Sequence, residues 1–265
     1  MPTYDVSPDC TIHYLEHNPQ GHPPVLLLHG LGSCGEDWVL QVTPFTAAGY
    51  RLIAADARGF GRSSYPGGGL TVRQMAEDMA RLLEGIQAAP AHVVGISMGG
   101  TLALQLALDH PDLVRRLVLV NTFARLRPRS LRGWAYVLLR GVLVHTLGLP
   151  TQARMVARRI FPKPEQAPYR EVLYQRITQT NPAAYRAAMR ALVRFDVMDR
   201  LGEVRAPTLV VTGSEDTTVS PEEQAHLVRG IPNVRQVVIE GGGHAVILDH
   251  AEAFNQAVLD FLGED

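Results

Sequence analysis

Three residues of the chain have the types that nucleophilic acyl transfer requires: Ser97, Asp216 and His244. A serine hydroxyl is a weak nucleophile at neutral pH, so it needs a base to take its proton and a third group to orient that base. Ser97 lies in Gly95-Ile96-Ser97-Met98-Gly99, the G-x-S-x-G spacing that presents a serine on a strained strand-to-helix turn. Its context fits that turn: Val93, Val94 and Ile96 precede it, and the helix formers Leu102 to Leu108 follow. The competing reading makes Ser97 only the cap of that helix. His244 follows Gly241-Gly242-Gly243, and Asp216 closes Gly213-Ser214-Glu215-Asp216.

These residues need a scaffold that gathers strand ends. Continuous apolar runs at Val25 to Leu28, Leu52 to Ala55, Ala91 to Ile96, Leu117 to Val120, Thr208 to Val211 and Gln236 to Ile239 predict buried parallel strands. Helical stretches separate them, among them one opened by the capping box of Thr71 and Gln74 and one opened by Ser220-Pro221-Glu222-Glu223. A last amphipathic helix carries Phe254, Val258, Phe261 and Leu262 on one face. Thr11 to Glu16 alternates as a half-exposed edge strand would. The expected architecture is an α/β fold, a mostly parallel central sheet with helices on both faces. In such sheets reactive groups gather beyond the carboxyl ends of the strands, which is where Ser97, Asp216 and His244 fall.

The strand rhythm stops after Asn121. Residues 122 to 205 show only helical patterns broken by prolines at 128, 150, 162, 164, 168 and 182, and they carry 16 basic against 5 acidic residues. The rest of the chain carries 9 basic against 21 acidic, so a segment of +11 sits on a remainder of −12. The predicted organisation is a core of residues 1 to 121 and 206 to 265 with a helical cap of residues 122 to 205. The basic excess suits either a preference for anionic substrates or a plain bias toward arginine, since lysine occurs only at Lys163. The basic residues are spaced and lack interleaved aromatics, which argues against a nucleic-acid partner. The N-terminal residues lack the pattern of a signal peptide, and no run of eighteen apolar residues occurs, so a cytoplasmic protein without a membrane span is expected. Cys10 and Cys34 match no metal or disulfide spacing and read as small filler residues.

Taken together, His29-Gly30-Leu31-Gly32, the D-x-R-G-x-G-x-S loop of Asp56 to Ser63, the elbow Gly95 to Gly100, and Gly213 to Asp216 followed by Gly243-His244 resemble the serine hydrolases of the α/β-hydrolase fold superfamily, esterase and lactonase members above all. The order Ser97, Asp216, His244 is the order of that family's triad. The resemblance implies an oxyanion hole from the backbone N–H groups of Leu31 and Met98, a cap after the strand ending at Val120, and no metal or organic cofactor. Some members take their acid from the end of the strand after the elbow helix, but that position is Asn121 here, so Asp216 is the expected acid. Serine in place of aspartate at the elbow argues against dehalogenases and epoxide hydrolases. The expected activity is carboxylesterase-like hydrolysis of a small or medium carboxylic ester or lactone, with the small-molecule substrate as the partner. Carbon-carbon bond hydrolysis, and a slow-turnover ligand receptor on the same fold, are the alternatives; monomer and homodimer are equally compatible. Trp134, Tyr136, Leu138, Leu139 and Leu143 of the cap are candidates either for an apolar pocket or for packing among the cap helices.

Overall fold

Each predicted run becomes a strand, and five of them are buried at successive positions, as a parallel strand covered on both faces must be. Gln236 to Ile239 instead lies at the edge of the sheet with only Ile239 buried, so it is not the covered strand expected. The strands are β1 (Thr3–Ser7), β2 (Cys10–His17), β3 (Pro24–Leu28), β4 (Arg51–Ala55), β5 (Ala91–Ile96), β6 (Val114–Val120), β7 (Thr208–Gly213) and β8 (Val234–Ile239). The computed structural model describes residues 2–126, 135 and 148–264, and it orders these strands β1-β2-β4-β3-β5-β6-β7-β8 in one sheet. Pairings of β1 with β2 and of β2 with β4 are antiparallel, and the pairings from β4 to β8 are all parallel.

Alternate residues of the central strands feed two separate apolar layers. Leu26, Leu28, Val93, Leu117 and Leu119 join one layer, while Val25, Leu27, Val94, Val118 and Val120 join the other. The first layer is closed by α2 (Val72–Gly85) and α3 (Met98–Asp109), the second by α1 (Val39–Ala47) and α8 (Ala251–Leu262). Fully burying one such side chain is worth about 1.5–3 kcal/mol, so these two layers dominate the stability of the sheet. The predicted caps form: Thr71 accepts the N–H of Gln74 at 3.0 Å, and Ser220 accepts that of Glu223 at 3.3 Å to open α7 (Pro221–Gly230).

Two further local expectations are corrected. The strand at Thr11 to Glu16 is not an edge strand: β1 pairs outside it, and Ile12, His13 and Tyr14 are all buried. Thr3–Ser7 is too short and too polar for its alternation to have revealed a strand. Prolines 150, 168 and 182 do not break helices but lie in the opening turns of α4 (Gly148–Ile160), α5 (Ala167–Gln179) and α6 (Pro182–Arg194). There the missing N–H has no helical partner to lose.

Between β6 and β7 the described residues contribute helices and no strand of the sheet. Among the described residues, several of this segment's charges answer acids of the core or carbonyls and rings of the segment itself. Arg176 binds Glu36 at 2.6 Å and Asp37 at 3.3 Å, Lys163 binds Glu215 at 2.8 Å, and Arg200 binds Asp109 at 3.0 Å. Arg170 donates to the carbonyls of Phe161 and Lys163, and Arg154 lies over the ring of Tyr174. Partly exposed pairs of this kind are each worth less than about 1 kcal/mol, so they orient the segment more than they stabilise it. Trp134, Tyr136, Leu138, Leu139 and Leu143 lie outside the described residues. No helix among the described residues is long and apolar enough to cross a membrane.

Candidate active site

The elbow forms because three backbones meet where only glycine fits. A Cβ on Gly99 would lie 2.0 Å from the carbonyl oxygen of Leu28, and one on Gly95 would lie 2.2 Å from that of Gly99. With those positions open, β5 turns directly into α3 and leaves Ser97 at φ 53°, ψ −114°. Such backbone strain costs about 1–3 kcal/mol and persists only where the surroundings over-determine it. Ser97 occupies the N-cap position of α3, yet its side chain makes no capping bond. Its backbone is held instead: the N–H donates to Val120 O at 3.0 Å, and Thr122 Oγ1 donates to Ser97 O at 2.7 Å.

Asp216 and His244 meet beyond β7 and β8. His244 Nδ1 donates to Asp216 Oδ2 at 2.9 Å, with both side chains buried. The other carboxylate oxygen, Oδ1, accepts the N–H groups of Thr218 at 2.7 Å and Val219 at 3.2 Å. With its Nδ1 proton committed to the carboxylate, the imidazole has its Nε2 lone pair available to accept a proton. Glu215, the neighbouring acid, turns outward to Lys163.

The loop after β3 reaches the elbow: a Cβ on Gly30 would lie 3.7 Å from Ser97 Cβ. Leu31 is in that loop, and Met98 is the first residue of α3. His29 braces the loop, donating from Nδ1 to Gly30 O at 2.8 Å and accepting the Ala57 N–H at Nε2 at 2.9 Å. Burial pushes the pKa of His29 down, which keeps it neutral as this pattern of one donor and one acceptor requires. The D-x-R-G-x-G-x-S stretch is also a brace. Asp56 accepts the N–H groups of Gly35 at 2.7 Å and Arg62 at 2.9 Å, together with His13 Nδ1 at 2.8 Å. Arg58 forms a buried two-point pair with Asp78 at 2.6 and 2.8 Å. His92, buried beside Tyr50, has its pKa pushed down to about 4 by that burial. Burial likewise pushes the Cys34 thiol up to about 12 and raises Cys10, so neither sulfur is an available nucleophile.

Sequence reasoning missed Arg176 and read Asn121 only as a position without a carboxylate. Arg176 of α5 clamps the 3₁₀ turn Gly35–Trp38, just downstream of Leu31, through Glu36 and Asp37. Beside it, Ile177 and Tyr185 fill the space that a Cβ on Gly32 would need. Arg176→Gln removes both ion pairs at a cost of about 0.5–1 kcal/mol for a partly exposed group. The expected result is a melting temperature lower by roughly 1–4 °C, the deficit shrinking in molar salt, read by differential scanning calorimetry.

The segments that hold this site match a known family. The model of the family described as "alpha/beta hydrolase fold" matches residues 23–251. A protein of Variovorax paradoxus named "Putative carbamate hydrolase RutD" is 35% identical over 259 residues, covering 95% of this chain and 96% of its own. Among solved structures, the enol-lactonase of Burkholderia xenovorans superimposes with a TM-score of 0.90 at 26% identity, covering 99% of this chain and 100% of its own. A thermophilic esterase of Thermogutta terrifontis gives a TM-score of 0.82 at 27% identity, covering 96% of this chain and 93% of its own.

Proposed function

Because the chain belongs to the alpha/beta hydrolase fold family, we propose that it hydrolyses a small or medium carboxylic ester or lactone with Ser97 as nucleophile, His244 as base and Asp216 as the group that orients the base. The observation that carries this reading is the buried His244–Asp216 bond at the same carboxyl end of the parallel strands that presents a strained Ser97 whose side chain makes no capping bond. Ser97 Oγ attacks the carbonyl carbon and passes its proton to His244 Nε2. The tetrahedral oxyanion is met by the N–H groups of Leu31 and Met98, each such donor being worth about 10²–10³ in rate. Collapse expels the alkoxide, which takes the proton from His244, and water attacks the acyl-enzyme by the reverse proton path. Residues 122 to 205 serve as the cap over the site, with the core supplied by residues 1 to 121 and 206 to 265.

A second reading, cleavage of a carbamate, is favoured by the name of the 35% identical relative, a putative carbamate hydrolase. The two share the acyl-transfer chemistry and differ in whether nitrogen or carbon flanks the attacked carbonyl. A fluorophosphonate probe is expected to label the protein stoichiometrically on the peptide that contains Ser97, located by mass spectrometry. Absence of an adduct, or an adduct elsewhere, overturns the mechanism. A parallel panel of esters, lactones and carbamates of graded length then ranks kcat/KM among the substrate classes.

A further inference from the structure

β6 ends at Val120, and the next residues, Asn121 and Thr122, touch each of the three loops that carry the proposed triad. Asn121 Nδ2 donates to the carbonyls of Gly243 and His244, both at 2.9 Å, and its Oδ1 accepts the N–H of Gly213 at 2.9 Å. Thr122 Oγ1 donates to the carbonyl of Ser97 at 2.7 Å. Asn121 is fully buried and Thr122 nearly so. Both N–H groups of the Asn121 amide are used, and its oxygen is used as well.

The register of β7 against β8 ends at Gly213 opposite Ile239, before Asp216 and before His244. Beyond it the two loops meet ahead of the two side chains, through Glu215 N–H to Gly242 O at 2.8 Å and Gly241 N–H to Ser214 Oγ at 2.9 Å. Asn121 adds the bonds that reach the carbonyls of Gly243 and His244 themselves and ties them to Gly213. Thr122 fixes the same β6 terminus relative to Ser97. On the reading that these three residues form the triad, we propose that Asn121, assisted by Thr122, is a positioning residue that sets the spacing of nucleophile, acid and base.

The competing account is a purely local role, since Asn121 has φ 43°, a conformation that asparagine tolerates well. Two substitutions separate the roles. Asn121→Gly keeps the backbone unstrained while removing every side-chain bond. Asn121→Asp keeps the shape but sets carboxylate oxygen against two carbonyl oxygens. Either change is expected to lower kcat by about 10²-fold, the cost typical of a misplaced catalytic group, with KM within about threefold of wild type. Thr122→Val is expected to lower kcat less, by about three- to tenfold.

The spectroscopic readout is the downfield proton resonance of His244 Nδ1, assigned by its loss in His244→Gln. It should broaden or shift in both Asn121 variants at temperatures where circular dichroism shows them folded. Wild-type kcat, or a resonance unchanged while activity merely follows the loss of melting temperature, overturns the proposal. If one variant does not fold, the other carries the test. Ser97→Ala measured alongside keeps the two readings apart. Turnover retained in Ser97→Ala overturns the triad and this proposal together, whereas an inactive Ser97→Ala beside a fully active Asn121→Asp overturns the positioning role alone.

Discussion

Ser97→Ala is expected to lower kcat/KM by about a millionfold on whichever ester, lactone or carbamate proves best, with the melting temperature preserved or raised. The size follows from what the substitution removes. Without Oγ there is no acyl-enzyme, and His244 has no hydroxyl proton to take, so one atom disables two steps. What survives is substrate binding and the oxyanion donors, which by themselves leave roughly 10³–10⁴ over the reaction in water. The substitution leaves the glycine contacts of the elbow intact and gives alanine the same φ of 53°, so no loss of packing accompanies it. Steady-state kinetics on protein expressed free of host esterases reads the effect. A reduction smaller than about a hundredfold would move the nucleophile to another residue.

Asp216→Asn is expected to lower kcat by about 10⁴-fold while leaving KM nearly unchanged. The direction is dictated by the loop around the carboxylate. Oδ1 of Asp216 accepts the N–H groups of Thr218 and Val219, so the oxygen of an introduced amide would be held on that side. Its NH₂ would then face His244 Nδ1, which would have to accept instead of donate. The imidazole would carry its proton on Nε2, the wrong nitrogen for deprotonating Ser97. Recovery of activity at high pH, where Ser97 needs less help, together with retained fluorophosphonate labelling at a reduced rate, would identify this tautomer effect. A variant as active as wild type would show that the His244–Asp216 bond orients nothing that matters to turnover.

Much of the architecture was legible in the linear chain because it depends on contiguous residues. Parallel strands advertise themselves as unbroken runs such as Val25-Leu26-Leu27-Leu28, and the helices opened by Thr71 and Ser220 carry their own capping residues. β1 escaped notice because five residues of Thr-Tyr-Asp-Val-Ser have little pattern without the partner strand beside them. The charge asymmetry was legible as a number but not as a meaning. Only the docked helices show Arg176, Lys163 and Arg200 answering acids of the core. The same holds for the D-x-R-G-x-G-x-S stretch, which as a motif pointed to a family and as a structure is a set of braces on Gly35, Arg62 and His13.

The sequence by itself determined the fold class, the glycine-flanked turn at Ser97 and the order in which Ser97, Asp216 and His244 follow the strands, because glycine spacing and apolar periodicity act over a few residues at a time. The tertiary structure decided what holds those groups at working distance. Asn121 looked like an empty place where an acid was missing, and it became the amide that ties the acid strand to the base loop. That role depends on β6 lying between β5 and β7 and on how far one side chain reaches across the sheet edge. No local pattern encodes such a distance, since it exists only once β5, β6, β7 and β8 have paired in that order.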